Sequence, residues 1–97
     1  MEKFALLARV EAKAGKENEV LAFLKSALPL AAAETDTVRW YALQLGPSTF
    51  GIFDTFESDA GRKAHLSGEI AKALMANASA LLAKAPVIEQ VDLIAVK

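Results

Sequence analysis

His65 is the only histidine of the chain, and it is the side chain best suited to proton transfer. Because the unperturbed pKa of histidine is about 6.5, an imidazole can take up and return a proton close to neutral pH. Asp54, in the interior of a predicted strand, is the carboxylate expected to orient that imidazole and to favour its charged form. A structural interpretation stands beside this one. In it, His65 is a surface or capping residue, and Asp54 pairs with Arg62 or His65.

Two aromatic residues are predicted to share a sheet face with Asp54. If residues 46–48 form the loop of a hairpin, Trp40 lies opposite Asp54, and Phe56 follows on the same side. If this face looks toward the helices, the second helix brings His65 over it. An imidazole, a carboxylate and two aromatic rings would then line a cleft suited to a flat aromatic ligand. The alternative role of Trp40 and Phe56 is to fill the core, which is common for aromatic residues spaced two apart.

Arg39 and Tyr41 alternate with Trp40 and therefore lie on the opposite face of the same strand. They are candidates for anchoring a substrate oxygen, but only if that face lines the cavity. The alternation by itself leaves open which face does so. The alternative role of Arg39, which closely follows Glu34 and Asp36 in the sequence, is that of an ordinary exposed charge.

The composition excludes several other kinds of site and partner. The 97 residues contain no cysteine, which removes disulfides, thiolate catalysis and thiolate metal ligands. Eleven basic and twelve acidic residues are interspersed, so no basic patch for nucleic acid or an anionic membrane is expected. Neither a Gly-rich phosphate loop nor a His/carboxylate cluster at metal-ligand spacing is present. With no signal-peptide or membrane-spanning pattern, we expect a cytoplasmic protein without a bound metal.

Hydrophobic spacing predicts four strands and two helical segments in a single domain over residues 1–97. Pro29 should end or kink the first helix, and Ser58 should cap the second. The order β-α-β-β-α-β is that of a ferredoxin-like α+β fold with a four-stranded antiparallel sheet. We expect its first and last strands in the middle of the sheet. The predicted strands are 3–12, 38–45, 49–57 and 87–96, and the predicted helices are 16–28 and 59–84, the latter loosened near 67–68.

The predicted strands are apolar on both faces, although the helices of this fold cover only one. Trp40 and Ile52 represent one face, whereas Tyr41, Leu43 and Phe53 represent the other. A monomer would leave the second apolar patch exposed to water. Two sheets packed face to face as a dimeric α+β barrel would bury both patches, so we expect a homodimer.

Four short motifs follow one another in an order typical of a known family. They are 7–17 (LARVEAKAGKE), 38–41 (VRWY), 51–58 (GIFDTFES) and 64–66 (AHL). In these motifs, and in length and order over residues 3–96, the chain resembles the antibiotic biosynthesis monooxygenase family, and within it the quinol-monooxygenase-like members. The resemblance implies a dimeric α+β barrel. Members of this family include cofactor-free oxygenases of phenolic or quinol-type compounds and haem-degrading enzymes.

The chain departs from the family pattern at several positions. Phe56 stands where many members carry a tryptophan, and Met75 stands where haem-degrading members place an axial histidine. Glu69 and Ile70 occupy the region in which many quinol-oxygenase-like members have a second histidine. The resemblance therefore implies no role in haem degradation.

The activity implied by the resemblance is a cofactor-independent monooxygenase that oxidises a small phenolic or hydroquinone-type compound with molecular oxygen. His65 would be the base and Asp54 its orienting partner, while Trp40 and Phe56 would stack on the substrate ring. Two alternatives stand beside this hypothesis. One is a non-catalytic dimeric barrel that binds a small molecule or has a structural role, and the other is an isomerisation or decarboxylation with the same base.

Overall fold

The computed structural model describes residues 1–97 and contains four strands and four helices. In chain order they are β1 (Phe4–Glu11), α1 (Glu17–Ser26), α2 (Leu28–Ala33), β2 (Thr37–Gln44), β3 (Thr49–Phe56), α3 (Asp59–Leu66), α4 (Glu69–Leu81) and β4 (Val87–Asp92). The predicted α+β order is confirmed: α1 occupies the first predicted helix and α2 continues beyond its predicted end at residue 28, while α3 and α4 together occupy the second. None of these helices has the length and apolar character needed to cross a bilayer.

Local signals explain where the helices begin and end. Pro29 stands in the first turn of α2, where its missing N–H costs no hydrogen bond, so it separates two helices without stopping the helical segment. Ser58 caps α3 as predicted, since its Oγ accepts a hydrogen bond from the Gly61 N–H at 3.0 Å. The predicted break at 67–68 separates α3 from α4, and α4 ends at Leu81.

The four strands form one antiparallel sheet in the order β2-β3-β1-β4. The prediction that the first and last strands lie in the middle is wrong, because β4 is an edge strand and β1 and β3 are the central pair. Each helical crossover skips one strand position, so β3 lies between β1 and β2, and β1 lies between β3 and β4. The predicted hairpin register is confirmed, with Trp40 opposite Asp54 and Tyr41 opposite Phe53.

One face of the sheet packs on the helices and forms the core. Trp40 packs against this core, so the Trp40 face is the one that looks toward the helices. Tyr41, which alternates with Trp40 along β2, lies on the opposite face, which no helix covers. Strands and helices meet in a buried cluster that includes Ala8, Val10, Val20, Leu24, Phe50, Ile52, Ile70 and Leu74.

Arg62 holds α3 on the sheet. Its guanidinium is buried, pairs with Asp59 of the same helix at 2.8 Å, and donates to the Val91 carbonyl of β4 at 3.0 Å. It also lies 4.9 Å from the centre of the Phe4 ring of β1, a cation–π contact. These contacts position the helix that carries His65.

We expect Arg62→Ala to lower the free energy of unfolding by about 2–3 kcal/mol, since it removes hydrogen bonds and a cation–π contact that are shielded from water. Lys63→Ala is the matched control, because Lys63 also pairs with Asp59 but is exposed, and it should cost less than about 0.5 kcal/mol. Urea unfolding followed by circular dichroism measures both values. Equal losses in the two variants would contradict the role given to Arg62.

Candidate functional site

Three titratable side chains meet where α3 lies over the sheet. The Nε2 atom of His65 is 2.7 Å from Oδ2 of Asp54, and its Nδ1 atom is 2.6 Å from Oε1 of Glu34. The hydroxyl of Thr37 donates to the same Glu34 oxygen at 2.7 Å. The imidazole therefore bridges two carboxylates, one of which is held in place by a further hydrogen bond.

A different element positions each member of this trio. Asp54 lies on the helix-covered face of the central strand β3, His65 lies in the last turn of α3, and Glu34 follows α2 directly. Phe56 packs against the imidazole, with the two ring centres 5.4 Å apart. The trio is not arranged as a metal-ligand set, and no other group of three or more His, Cys, Asp or Glu side chains is so arranged.

Burial and charge set the protonation of the trio. Only 1% of Asp54 and 9% of the His65 side chain are exposed. Burial raises the pKa of the Asp54 carboxyl, and the contact with His65 offsets only part of that rise. Burial alone would lower the pKa of His65, but the contacts with Asp54 and then Glu34 outweigh it and raise this pKa to about 8. At neutral pH the imidazole is therefore mostly protonated.

The Asp54 carboxylate has unused hydrogen-bonding capacity. Its Oδ1 atom is buried and has no hydrogen-bond donor. Its Oδ2 atom is engaged by His65, whose Nε2 lies 2.7 Å away and forms an ion pair with it. A buried carboxylate oxygen without a donor is unfavourable until a proton, a water molecule or a ligand satisfies it. Oδ1 of Asp54 is therefore the site atom most ready to accept a hydrogen bond.

His65 and Asp54 line an apolar cavity between the sheet and the helices α3 and α4. The cavity has a volume of about 100 Å³, and most of its remaining wall is aliphatic, with Leu6, Ile52, Ile70 and Leu74 among its residues. On its other side His65 borders an open pocket of about 420 Å³ whose wall includes Glu34, Asp36 and Glu69. The imidazole thus separates an apolar interior from an acidic pocket that faces solvent.

The other candidate residues lie outside the apolar cavity. Phe56 is fully buried, and Trp40 is half-buried against the core with its indole N–H unpaired. Arg39 and Tyr41 lie on the uncovered face of the sheet, where Arg39 forms an ion pair with Glu2 at 3.4 Å. The structure therefore brings His65 and Asp54 together and leaves the four predicted substrate-binding residues outside the cavity that they line.

Glu34 was not among the residues predicted to form the site. It stands 31 positions before His65, and no periodic pattern links two residues so far apart. The available signal was a single acid after the alanines at 31–33, followed by Thr37 three positions later. That spacing is equally typical of an exposed turn, so only the folded arrangement reveals the contact.

We expect the free energy of unfolding to decrease as the pH rises from about 6.5 to 8. The folded protein keeps the His65 proton up to its pKa of about 8, whereas an unfolded imidazole loses it near 6.5. Because the native state then binds more protons than the unfolded state, a rising pH favours unfolding, by about 2 kcal/mol in total. The raised pKa of Asp54 acts with the same sign at lower pH, from its ordinary value upward.

Urea unfolding of the wild type at pH 6 and at pH 9 measures this loss. His65→Gln is the control, because His65 is the only histidine and its replacement should flatten the pH dependence. Two outcomes would contradict the raised pKa of His65. One is a wild-type free energy of unfolding that is no lower at pH 9 than at pH 6. The other is a decrease of the same size in His65→Gln.

Comparison with known proteins shows which solved structures share this fold. No protein-family model and no curated protein sequence matches the chain at a significant level. Among solved structures, the protein NE2512 of unknown function from Nitrosomonas europaea is 59% identical, with a TM-score of 0.98 over 100% of this chain and 94% of that chain.

Two provisionally named antibiotic biosynthesis monooxygenases share the fold at low identity. The one from Nitrosomonas europaea is 12% identical, with a TM-score of 0.83 over 95% of this chain and 90% of that chain. The one from Chloroflexus aurantiacus is 18% identical, with a TM-score of 0.73 over 98% of this chain and 96% of that chain. The chain therefore belongs to the same family as the Nitrosomonas europaea protein NE2512, and it has the ferredoxin-like fold of the antibiotic biosynthesis monooxygenases.

Proposed function

We propose that the protein is a cofactor-independent monooxygenase that oxidises a small phenolic or hydroquinone-type compound with molecular oxygen. The observation that carries this proposal is the bridge of His65 between Asp54 and Glu34 at the wall of an apolar cavity. The fold shared with provisionally named monooxygenases supports it. A buried acid–base pair beside an apolar cavity is an arrangement suited to the deprotonation of a phenol.

Deprotonation is the step that a protein has to assist in such a reaction. Molecular oxygen in its triplet ground state reacts slowly with closed-shell organic molecules, and a neutral phenol is no exception. A phenolate is more electron-rich and passes one electron to oxygen more readily. The protein therefore needs to bind the ring away from water, accept a proton and stabilise the resulting anion. The Asp54–His65 pair supplies the acceptor, and the protonated imidazole supplies nearby positive charge.

With a hydroquinone, each step balances. The Asp54–His65 pair takes one hydroxyl proton, and the anion passes one electron to oxygen, which gives a semiquinone radical and superoxide. These two combine by forming a bond between oxygen and a ring carbon. The O–O bond then breaks as that carbon loses its hydrogen as a proton, so that hydroxide leaves and a carbonyl remains. The proton held by the pair converts hydroxide to water, and the other oxygen atom stays in the hydroxyquinone.

We propose further that a second copy of the chain covers the uncovered face of the sheet. On this face 46% of Tyr41 is exposed, and Leu45 is similarly exposed. Leu7, Leu43 and Phe53 lie half-buried on the same face. Contiguous apolar side chains on a sheet face favour packing against another apolar face. A symmetric dimer would pair this face with itself.

Oxygen uptake tests the proposed activity. The purified protein is incubated with a panel of hydroquinones and substituted phenols, without flavin, metal or nicotinamide, and uptake is compared with that of heat-inactivated protein. We expect uptake in proportion to protein concentration and, with labelled oxygen gas, one labelled atom in the product. Uptake that never exceeds the background for any compound of the panel would overturn the oxygenase proposal and favour a barrel that only binds its ligand.

A further inference from the structure

The apolar cavity beside His65 has one side that faces solvent and one buried wall. Met75 of α4 and Ile88 of the edge strand β4 both line the cavity, and both are also exposed, Met75 by 59%. Asp54 belongs to the buried wall, as its exposure of 1% shows. A ligand that enters from solvent therefore passes Met75 and Ile88 before it meets the Asp54 carboxylate.

The volume of the cavity limits the ligand. An apolar cavity of about 150 Å³ in another protein holds benzene, and the cavity here measures about 100 Å³. A single six-membered ring needs somewhat more room than this, and two fused rings need far more. Met75 can provide the extra volume that a single ring needs, because its side chain is unbranched, flexible and mostly exposed, so it can turn outward into solvent.

The buried wall offers an acceptor for one hydrogen bond. Oδ1 of Asp54 has no donor, and the other residues that line the cavity are apolar apart from His65. A ligand hydroxyl on this oxygen would satisfy a buried carboxylate. A hydrogen bond of that kind is worth roughly ten- to hundredfold in affinity, because the acceptor is charged.

We propose that the cavity binds a single-ring phenol whose hydroxyl donates to Oδ1 of Asp54, and that Met75 sets the upper limit on ligand size. The choice of a phenolic ligand rests on the proposed function. The inference deepens that function, because it names the accepting atom, the number of rings and the residue that controls access. Asp54 is then the group that contacts the substrate proton, and His65 acts through Asp54.

Binding titrations under nitrogen test both parts of this proposal with three probes: phenol, toluene and 1-naphthol. Phenol should bind the wild type about tenfold more tightly than toluene, which has nearly the same size but no hydroxyl. 1-Naphthol should show no measurable binding. Equal affinities for phenol and toluene would overturn the assignment of Asp54, and equal affinities for phenol and 1-naphthol would overturn the size limit.

Two variants on α4 separate the role of Met75 from general effects on the helix. Met75→Ala should bind 1-naphthol measurably, whereas the wild type does not, because the substitution removes the side chain that narrows the cavity. Lys72→Ala is the matched control, since Lys72 is exposed on the same helix and does not line the cavity. The same gain in both variants, or no gain in Met75→Ala, would overturn the role of Met75.

Asp54→Asn keeps the shape of the side chain and should reduce the preference for phenol over toluene to less than about threefold. If this variant does not fold, the comparison of phenol with toluene in the wild type still decides the point. Binding without oxygen also separates this inference from the proposed function. A protein that binds phenol but consumes no oxygen would support the binding site and overturn the oxygenase proposal. Oxygen uptake with two-ring substrates alone would support the oxygenase proposal and overturn the single-ring site.

Discussion

Replacing His65 by alanine should lower the rate of oxygen uptake by about 10²–10⁴-fold, the usual contribution of general acid–base catalysis, because Asp54 takes the substrate proton only with His65 as its partner. His65 contacts the buried Asp54 carboxylate at 2.7 Å and the Glu34 carboxylate at 2.6 Å. Without the imidazole, Asp54 has no partner that shares or passes on the substrate proton, and its charged form becomes still less favourable in the apolar cavity. The oxygen electrode with the best hydroquinone of the panel measures the effect. Unchanged uptake would reject the role of His65.

A structural loss has to be separated from a chemical one, because the substitution leaves two carboxylates close together without the cation between them. Circular dichroism and urea unfolding establish that His65→Ala is folded under the assay conditions. Added imidazole should then restore part of the activity, since the substitution leaves a space of its size beside Asp54. A folded variant whose activity imidazole does not raise would indicate that His65 only supports the structure.

The pH profile gives a second readout of the same role. In the wild type, kcat/KM should rise with pH and level off above about 8. There the imidazole loses its proton, and the Asp54–His65 pair becomes a stronger proton acceptor. Because the pair shares its protons, this inflection belongs to Asp54 and His65 together. His65→Ala should lack the inflection, and a variant profile that keeps it would contradict the assignment.

Tyr41→Lys should convert a homodimer into a monomer, with dimerisation weakened at least about hundredfold. Tyr41 lies on the uncovered face of the sheet and is 46% exposed, so a lysine there is hydrated in the monomer. In a dimer that pairs this face with itself, the same ammonium group would be buried without a partner. Two-fold symmetry places the substitution in the interface twice, which increases its effect.

Light scattering at about 10 µM measures the change in mass. Leu28→Lys is the matched control, because Leu28 is 57% exposed but lies on α2, on the helical side of the sheet. This variant should remain dimeric. A wild type that is a stable monomer at micromolar concentration would contradict the dimer, and dissociation of both variants to the same extent would contradict its placement on the uncovered face.

Much of the fold was predictable because the relevant signals are local. The alternation of apolar residues marks each strand, a short loop at 46–48 sets the hairpin register, and Ser58 marks the start of α3. Each of these depends on residues a few positions apart, which the chain brings together whatever the rest of the fold does.

The order of the strands was the part of the fold predicted wrongly. Both crossovers connect strands that are not neighbours, so the position of β4 depends on how β1 and β3 pair over a long separation in sequence. Periodicity identifies a strand but carries no information about its neighbours. The edge position of β4 matters for the site, because it leaves Ile88 at the solvent-facing side of the cavity.

Alternation along a strand is a property of the backbone, so the order of residues was enough to place Trp40, Asp54 and Phe56 on one face of the sheet and Tyr41 on the other. Which of the two faces the helices cover became known only from the packing of the folded chain. It also brought Glu34 to His65 and placed Trp40 outside the cavity. Side chains 31 positions apart in the chain meet only when helices and sheet pack together, and that packing depends on the whole core.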